Sequence, residues 1–227
     1  MTATTPPPAL PDEHGPSAGV EALIDERKIT EVVHFTTNQG LLGILVEQLC
    51  KARALLAEDK YLESIYHQNT KIRREDPRYW SYVNLSITQA NHRFLRISTD
   101  KWWADADLFW AILSFDPVIM AHPGVLFAPT NMAYQGIAPR SGTEGAEALF
   151  AACVPAGWGK VTHRSGQAPN VATCPQAEVL YPQAVPTRHL QCIYVVTQED
   201  AAKAQAIVSV SGHDEVDIIV DSVAFGR

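Results

Sequence analysis

Residues Cys174–Pro182 read CPQAEVLYP, an apolar β-strand pattern that contains one ionisable side chain. Apolar, β-branched and aromatic residues predict a buried strand here. Side chains alternate between the two faces of a strand, so Gln176 and Glu178 fall on one face while Ala177 and Val179 pack behind. The sequence therefore predicts that Glu178 is not buried against the core. We expect Glu178 to face a cleft that is lined by this strand, whose rigid backbone fixes the position of the side chain.

Two earlier strands also carry polar side chains within an apolar pattern. VVHFTT places His34 and Thr36 on the first strand, and YVNLSI places Asn84 and Ser86 on one face of a middle strand. Each pattern alone is also typical of a hydrogen-bonded core residue or a solvent-facing strand. The 20 residues of Val154–Thr173 are predicted to be irregular, and they precede the last polar strand. Loops of that length are unusual in compact domains and are often functional.

The order of the predicted elements indicates an α+β fold. Strands are predicted early, in the middle and late in the 227-residue chain, without regular βαβ alternation. Residues 1–20 are rich in proline and small polar residues, which predicts a flexible N-terminal tail. The remaining residues, 21–227, fit one domain.

Several classes of protein are disfavoured by what the sequence lacks. No apolar run approaches the roughly 18–20 residues that span a bilayer, and the N-terminus does not resemble a secretory signal. We therefore expect no membrane association and a cytoplasmic location. The four cysteines form no C-x-x-C pair, which favours reduced thiols and no metal site. Rossmann, Walker A, H-E-x-x-H and G-x-S-x-G motifs are missing.

Taken together, the polar strands resemble the DarT family of DNA ADP-ribosyltransferase toxins. The resemblance runs through VVHFTTNQGLLGIL (Val32–Leu45), YVNLSI (Tyr82–Ile87), WAILSFDPVIM (Trp110–Met120), GVLFAPTNMAY (Gly124–Tyr134) and CPQAEVLYPQAVP (Cys174–Pro186). It implies an ADP-ribosyltransferase-like fold, in which two small packed sheets with flanking helices form an NAD cleft. It also implies that NAD is consumed as a substrate, and that ADP-ribose is placed on a base of single-stranded DNA. Thymine is the best-known target base, and guanine is the alternative.

The resemblance further implies roles for individual residues and a partner protein. Glu178 would be the catalytic carboxylate, with Gln176 at the mouth where the acceptor base enters. The residues expected to bind NAD are His34, Thr36, Asn84 and Ser86. A cognate antitoxin, either a macrodomain protein or another ADP-ribosyl hydrolase, would remove the modification.

One part of the chain departs from the family pattern. Family members carry a catalytic arginine in a proline-flanked turn after the middle strand, and here that turn runs from Ser86 to Arg93 without proline. Arg93 is the nearest candidate for that catalytic residue, with His92 assisting. The departure indicates a divergent subgroup and leaves the target base open. The loop residues expected to contact DNA are Trp158, Lys160, His163 and Arg164, because aromatic rings stack on bases and cations contact phosphates. Simple surface exposure remains the alternative for each of them.

Two other functions remain open at this point. The same fold could modify protein or RNA, or could hydrolyse NAD without an acceptor. A non-enzymatic module for single-stranded nucleic acid could use the basic segment Lys51–Lys101, which holds ten Lys or Arg and six Asp or Glu, within a chain of net charge −7. Such a module would stack bases on Trp80, Trp102, Trp103 and Trp110. Core packing is the alternative role of these tryptophans.

Overall fold

The computed structural model describes residues 15–56, 80–102, 108–134, 136–157 and 159–227. Within these ranges the α-helices are α1 (Ala18–Arg27), α2 (Asn38–Glu47), α3 (His92–Ile97), α4 (Gly142–Ala148) and α5 (Gln198–Val210). The strands are β1 (Val32–Thr37), β2 (Leu49–Lys51), β3 (Tyr82–Ile87), β4 (Trp110–Phe115), β5 (Leu126–Ala128), β6 (Arg140–Ser141), β7 (Cys153–Pro155), β8 (Val161–His163), β9 (Glu178–Pro182), β10 (Ala184–Pro186), β11 (Leu190–Val195) and β12 (Asp217–Val220). The predicted α+β class is confirmed.

The main sheet consists of two halves that meet over a short junction. Its order is β12-β11-β4-β1-β3-β9-β5-β6. β1 and β4 pair along their whole length, and β3 and β9 pair over most of theirs. Between the halves, β1 and β3 pair at Val32↔Ile87 and Val33↔Ser86. The two small sheets expected from the resemblance are therefore present, joined at this junction between β1 and β3.

The junction fixes which face of the sheet each site residue occupies. Val33 of β1 pairs with Ser86 of β3, and Glu178 of β9 pairs with Ala128 of β5. Extending the register between β3 and β9 by one pair places Ser86 opposite Glu178, so the four residues form one row across the sheet. Residues in one such row point to the same face of a sheet. Leu95 of α3 packs against Val33, so this face is called the α3 face below.

The two faces carry cores of different size. The larger core lies on the face opposite α3 and joins the sheet to α1, α2, α4 and α5. Its members include Val20, Leu41, Leu45, Leu85, Phe127, Ala146, Val179, Ala204 and Val208. The smaller core, on the α3 face, consists of Val33, Ala90, Leu95, Ile112 and Phe225. The α3 face is thus the less thickly covered side of the sheet.

Two predictions about chain organisation are corrected by the structure. The tail predicted for residues 1–20 is too long, because α1 begins at Ala18 and Val20 is buried. Residues 1–14 lie outside the described residues. The irregular run predicted for Val154–Thr173 contains a short regular part, because β7 and β8 form an antiparallel hairpin. Strands of three residues are too short for periodicity to reveal.

The cysteines form no disulfide in the structure. Cys50, Cys174 and Cys192 are buried, and Cys153 is exposed. Burial raises the pKa of the Cys50 thiol to about 12, so this cysteine is an inert core residue. Within the ranges given above, no three His, Cys, Asp or Glu side chains are arranged to hold a metal ion. Among those same residues, no helix has the length and apolar content needed to cross a membrane.

Candidate active site

Glu178 is the first residue of β9, and its carboxylate is held by a neighbouring loop. Its side chain is 6% exposed, and Oε2 accepts a hydrogen bond of 3.1 Å from the backbone nitrogen of Met132. The sequence predicted that this carboxylate faces a cleft, and in the structure it is buried and contacts the segment of residues 131–134. The periodicity of β9 predicts which face of the sheet Glu178 occupies, but it does not predict which segment of the chain packs over that face. Residues 131–134 are called the 131–134 loop below.

Gln176 reaches the same loop from a turn rather than from the strand. The backbone nitrogen of Ala177 donates to the carbonyl oxygen of Cys174 at 2.9 Å, and β9 begins only at Glu178. The alternation argument therefore does not apply to Gln176. Even so, the Tyr134 hydroxyl donates to Oε1 of Gln176 at 2.8 Å. The two polar residues of the opening motif thus both contact the 131–134 loop.

The middle strand supplies two further polar groups on this face. Asn84 is half-buried, and its Nδ2 donates to the sulfur of Met132 at 3.7 Å. Ser86 is half-buried at the junction, where it pairs with Val33. It lies two residues after Asn84 on the same face of β3. The structure therefore gathers Asn84, Ser86 and Glu178 on the α3 face.

His34 bridges the two halves of the sheet immediately after the junction. Its Nδ1 lies 2.9 Å from the backbone carbonyl oxygen of Asn84. A carbonyl oxygen can only accept, so Nδ1 donates and carries the proton. Thr36, two residues further along β1, packs its hydroxyl group against Gly40 in the first turn of α2. Alternation puts His34 and Thr36 on the face of β1 opposite to Val33.

The residues predicted from the turn after β3 lie on α3. Arg93 is exposed in the first turn of this helix, and its catalytic role stays a prediction. His92 has a structural contact instead, because its Nε2 donates to the carbonyl oxygen of Ala224 at 2.9 Å and its ring lies against Gly226. The predicted assistance of His92 in catalysis stays a prediction; in the structure this side chain docks the turn at Ala224–Gly226 onto α3.

The residues predicted to contact DNA fall into two groups. Lys160 and His163 are exposed on the β7–β8 hairpin, where a DNA contact is sterically open. Trp158 lies outside the described residues. Arg164 is engaged elsewhere: its guanidinium donates to the carbonyl oxygens of Val171 and Ala168, both at 2.8 Å.

Further contacts hold the Arg164 guanidinium in this loop, and its predicted contact with DNA stays a prediction. Its guanidinium lies over the Phe150 ring, 5.6 Å from the centroid, and Arg27 lies over the same ring at 4.9 Å. Desolvation, together with the charge of Arg27, lowers the pKa of Arg164. Sequence reasoning treated Arg164 as a phosphate contact, but its hydrogen bonds organise the loop that leads to β9.

Two residues of the site were missed at the level of sequence. Met132 and Tyr134 belong to the stretch GVLFAPTNMAY, which carried the family resemblance without being given a role. Tyr134 also packs on the hairpin, because a Cβ added at Gly157 would lie 2.6 Å from its ring. The available signal was a polar and aromatic cluster directly after a short buried strand.

The opposite face of β9 holds a second polar group that is not part of this site. The hydroxyl of Tyr181 lies 2.9 Å from Nδ1 of His122, whose ring centroid is 5.2 Å from that of His189. Burial is the largest cause that lowers the pKa of both histidines and raises the pKa of Tyr181. Because alternation separates Tyr181 from Glu178, this cluster supports the strand from behind.

Comparison with known proteins agrees with this fold. Residues 33–225 match the family model described as DarT, the ssDNA thymidine ADP-ribosyltransferase. DarT of Thermus sp. 2.9 in complex with ADP-ribosylated ssDNA is similar at a TM-score of 0.61 and 16% identity, covering 87% of this chain and 96% of that one. The same Thermus protein in complex with NAD+ gives a TM-score of 0.59 at 15% identity, covering 87% and 98%. No curated protein matches the chain.

A third structure is longer than this chain. DarTG of Thermosipho africanus in complex with ADP-ribose is similar at a TM-score of 0.54 and 16% identity, covering 86% of this chain and 51% of that one. This chain thus spans about half the length of the Thermosipho chain. At these identities the structural likeness shows the fold. The family model extends over nearly the whole sequence, and the chain therefore belongs to the DarT family of ssDNA thymidine ADP-ribosyltransferases.

Proposed function

We propose that this chain transfers ADP-ribose from NAD to a base of single-stranded DNA, with Glu178 as the catalytic carboxylate. The observation that carries the assignment of Glu178 is its fixed carboxylate, 3.1 Å from the backbone nitrogen of Met132 at the start of β9. Asn84 and Ser86 share its face of the sheet. A preorganised charge among polar groups, largely shielded from water, is what stabilises a charged transition state.

The first half of the reaction breaks the bond between nicotinamide and the ribose anomeric carbon. Nicotinamide leaves with the electron pair of that bond, and positive oxocarbenium character develops on the sugar, as in glycoside hydrolysis. Glu178 would accept a hydrogen bond from a ribose hydroxyl and offset the developing charge. Its effect is larger in a buried position than in bulk water, because the local dielectric constant is lower.

The second half forms the bond to the base. A base nitrogen gives its electron pair to the anomeric carbon and loses its proton. Glu178 is the group proposed to accept that proton as a general base. Arg93 on α3 is the proposed cation that assists this step. A base must be unstacked to reach a buried carboxylate, which favours single-stranded substrate.

The remaining polar residues are proposed to hold NAD from both faces of the junction, His34 and Thr36 on one face and Asn84 and Ser86 on the α3 face. His34 donates through Nδ1 to Asn84, which fixes its ring at the junction, and from there it would bind the adenosine ribose. Thr36 would assist His34 from the same face of β1. Asn84 and Ser86 would line the nicotinamide end, beside Glu178. Hydroxyl, amide and imidazole groups are the partners that ribose hydroxyls and a carboxamide require.

The target base expected from the family description is thymine, and guanine is the alternative. Single-stranded oligonucleotides that each lack one type of base, incubated with NAD, would identify the acceptor through the mass increment of ADP-ribose. Separate pools of RNA and protein would test for those acceptors. Release of nicotinamide without any labelled polymer would indicate a plain NAD glycohydrolase.

The non-enzymatic alternative has less support. Trp80 lies under the guanidinium of Arg53, 4.6 Å from its ring centroid, and Trp110 contacts Phe35 at 5.9 Å. Both contacts favour packing over base stacking. The side chains of Trp102 and Trp103, and residues 57–79 of the basic segment, lie outside the described part of the chain. Binding of DNA without NAD and without nicotinamide release would support this alternative.

Glu178→Gln tests the assignment of the catalytic residue. The variant keeps the shape of the side chain and removes its charge, so we expect transfer to fall by roughly a hundredfold to a thousandfold. The matched control is Glu147→Gln on α4, where the carboxylate is exposed. Both variants should melt within a few degrees of the wild type. Transfer by Glu178→Gln at a rate near that of the wild type would contradict the assignment.

A cognate antitoxin and a cytoplasmic location are also proposed. A modified base would block the use of the DNA strand, so the cell needs an activity that removes ADP-ribose. A macrodomain protein or another ADP-ribosyl hydrolase would supply it. Incubating the modified oligonucleotide with each class of hydrolase, and following the disappearance of the ADP-ribose mass, distinguishes the two.

A further inference from the structure

Thr88, in the turn that follows β3, has a backbone conformation that β-branched residues rarely adopt. Its φ is +60°, and the backbone nitrogen of Gln89 donates across it to the carbonyl oxygen of Ile87 at 2.6 Å. A turn of this kind, with a positive φ at its central residue, is the rare and strained form of the γ-turn. Glycine would adopt the same φ without strain. What threonine provides here, and glycine lacks, is the side chain.

The other non-glycine residues with positive φ in the described part of the chain lie in ordinary positions for it. Lys28 and Gln48 directly follow α1 and α2, where a left-handed residue commonly ends a helix. Gln183, with a φ of +61°, lies in the turn between β9 and β10, and its side chain is exposed. None of these three is β-branched, so Thr88 is the clearest outlier among them.

The side chain of Thr88 holds the loop that leads into β9. Its Oγ1 donates to the carbonyl oxygen of Asn170 at 2.8 Å, although 82 positions separate the two residues. Arg164, at the start of the same loop, donates to two other carbonyl oxygens within it. Residues 165–173, called the 165–173 loop below, are thus held by Arg164 from their own start and by Thr88 from the end of the middle strand.

Thr88 joins this loop to both halves of the sheet beside the candidate site. Its backbone nitrogen donates to the carbonyl oxygen of Glu31, the residue before β1, at 3.1 Å. Two residues earlier on β3 lies Ser86, in the row of the sheet that contains Glu178. The loop itself continues into the turn that carries Gln176. One residue therefore connects β1, the end of β3 and the loop on the side where the acceptor base is proposed to enter.

We propose that Thr88 is a positioning residue, whose hydrogen bond to Asn170 holds the 165–173 loop where the acceptor base is guided to Glu178. This inference rests on the proposed transfer to single-stranded DNA. The base reacts only when it is held at the anomeric carbon in the correct geometry, and a small displacement lowers the rate of such a step strongly. Water needs no loop to attack the same carbon. Loss of the hydrogen bond therefore lowers transfer to DNA and leaves hydrolysis of NAD in place.

Three variants separate the hydroxyl of Thr88 from the strain of its backbone. Thr88→Gly removes the hydroxyl and relieves the strain at positive φ, whereas Thr88→Ser keeps the hydroxyl. Gln183→Gly is the matched control, because it relieves a similar strain at a turn residue whose side chain is exposed. All three variants should melt within a few degrees of the wild type, so a difference in transfer does not reflect unfolding.

The first measurement compares ADP-ribose transfer to an oligonucleotide with the release of nicotinamide in the absence of DNA. We expect Thr88→Gly to lower kcat for transfer about threefold to tenfold, the effect of one lost hydrogen bond. Its NAD hydrolysis and the KM for NAD should stay within about twofold of the wild type. Thr88→Ser and Gln183→Gly should keep the wild-type ratio of the two rates. A wild-type ratio in Thr88→Gly, or an equal loss of transfer in Gln183→Gly, would overturn the positioning role.

The second measurement follows the 165–173 loop without using the reaction. Trypsin cuts after arginine, and the side chain of Arg164 is bound within the loop, so the bond between Arg164 and Ser165 is cut when the loop opens. Cleavage at this bond, identified by mass, should be about threefold to tenfold faster in Thr88→Gly and unchanged in the other two variants. Equal cleavage in all four proteins would overturn the restraint of the loop by Thr88. A wild-type protein that modifies no oligonucleotide would overturn the proposed transfer and the positioning role with it, even where the cleavage pattern shows that Thr88 holds the loop.

Discussion

Two short segments lie over the α3 face of the sheet, and different forces hold them there. The helix α3 packs through Leu95 onto Val33 and Ile112, and its Phe94 contacts Phe35 with ring centroids 5.6 Å apart. The 131–134 loop is held by polar contacts with Asn84, Gln176 and Glu178. Apolar packing is difficult to exchange for substrate, whereas hydrogen bonds can be exchanged for others of similar strength. The fold is therefore secured at α3, and the proposed chemistry is located under the loop.

The largest expected effect concerns the stability of the α3 side. Leu95 is 1% exposed, and Leu95→Ala should lower the free energy of unfolding by about 2–5 kcal/mol, because it leaves a cavity in the smaller core. On the loop side, Met132→Ala keeps the backbone N–H that binds Glu178 and should cost less than about 1 kcal/mol. Urea titration of both variants tests the contrast. Equal destabilisation would show that the two segments are not held by different forces.

The sequence predicted the α3 face better than it predicted what covers that face. Alternation along β9 identified Glu178, and the polar pattern of β3 identified Asn84 and Ser86, because strand periodicity is a local signal. The contact between Met132 and Glu178 joins residues 46 positions apart. No local pattern encodes such a pairing, and the 131–134 loop was therefore missed.

Arg164 shows the same limitation of local sequence patterns, here for a residue that was predicted to be available to a ligand. A cation in a loop predicts a phosphate contact, but whether its N–H groups are already engaged depends on how the loop closes. Here the carbonyl oxygens of Ala168 and Val171 engage them. Likewise, the sequence of the turn after β3 does not reveal that His92 docks onto Ala224, since 132 residues separate the two.

The next effect asks whether α3 contributes to the reaction as well as to the fold. Arg93→Ala should lower kcat for transfer roughly a hundredfold if its guanidinium stabilises charge in the transition state. Arg96, also exposed on α3, is the matched control, and Arg96→Ala should stay within about twofold of the wild type. Steady-state rates on one oligonucleotide compare the two. Similar transfer rates for both variants would show that α3 contributes to the fold and not to the reaction.

A smaller effect is expected at the junction between the two halves. His34→Ala should raise KM for NAD about tenfold with little change in kcat, because the proposed role of the residue is to bind NAD away from the reacting bond. His34→Asn distinguishes binding from structure, since its amide nitrogen can replace Nδ1 as the donor to Asn84. KM should stay high in His34→Asn while the melting temperature recovers. An unchanged KM in His34→Ala would make the residue a structural bridge only.

The smallest expected effect separates two cations near the hairpin that supports the 131–134 loop. Lys160 is exposed in the hairpin turn, and Arg164 is fixed to loop carbonyls. Binding of single-stranded DNA is measured at several salt concentrations, and the slope of log K against log salt falls by about 0.7 for each cation removed from a phosphate. Lys160→Ala should lower the slope by that amount without changing the melting temperature. Arg164→Lys should leave the slope unchanged and lower the melting temperature, because one ammonium nitrogen does not reproduce the geometry of the two guanidinium nitrogens that each donate to a different loop carbonyl. The reverse pattern would show that Arg164 contacts DNA phosphate and that Lys160 does not. The DNA strand would then pass along the loop that leads into β9 rather than along the hairpin turn.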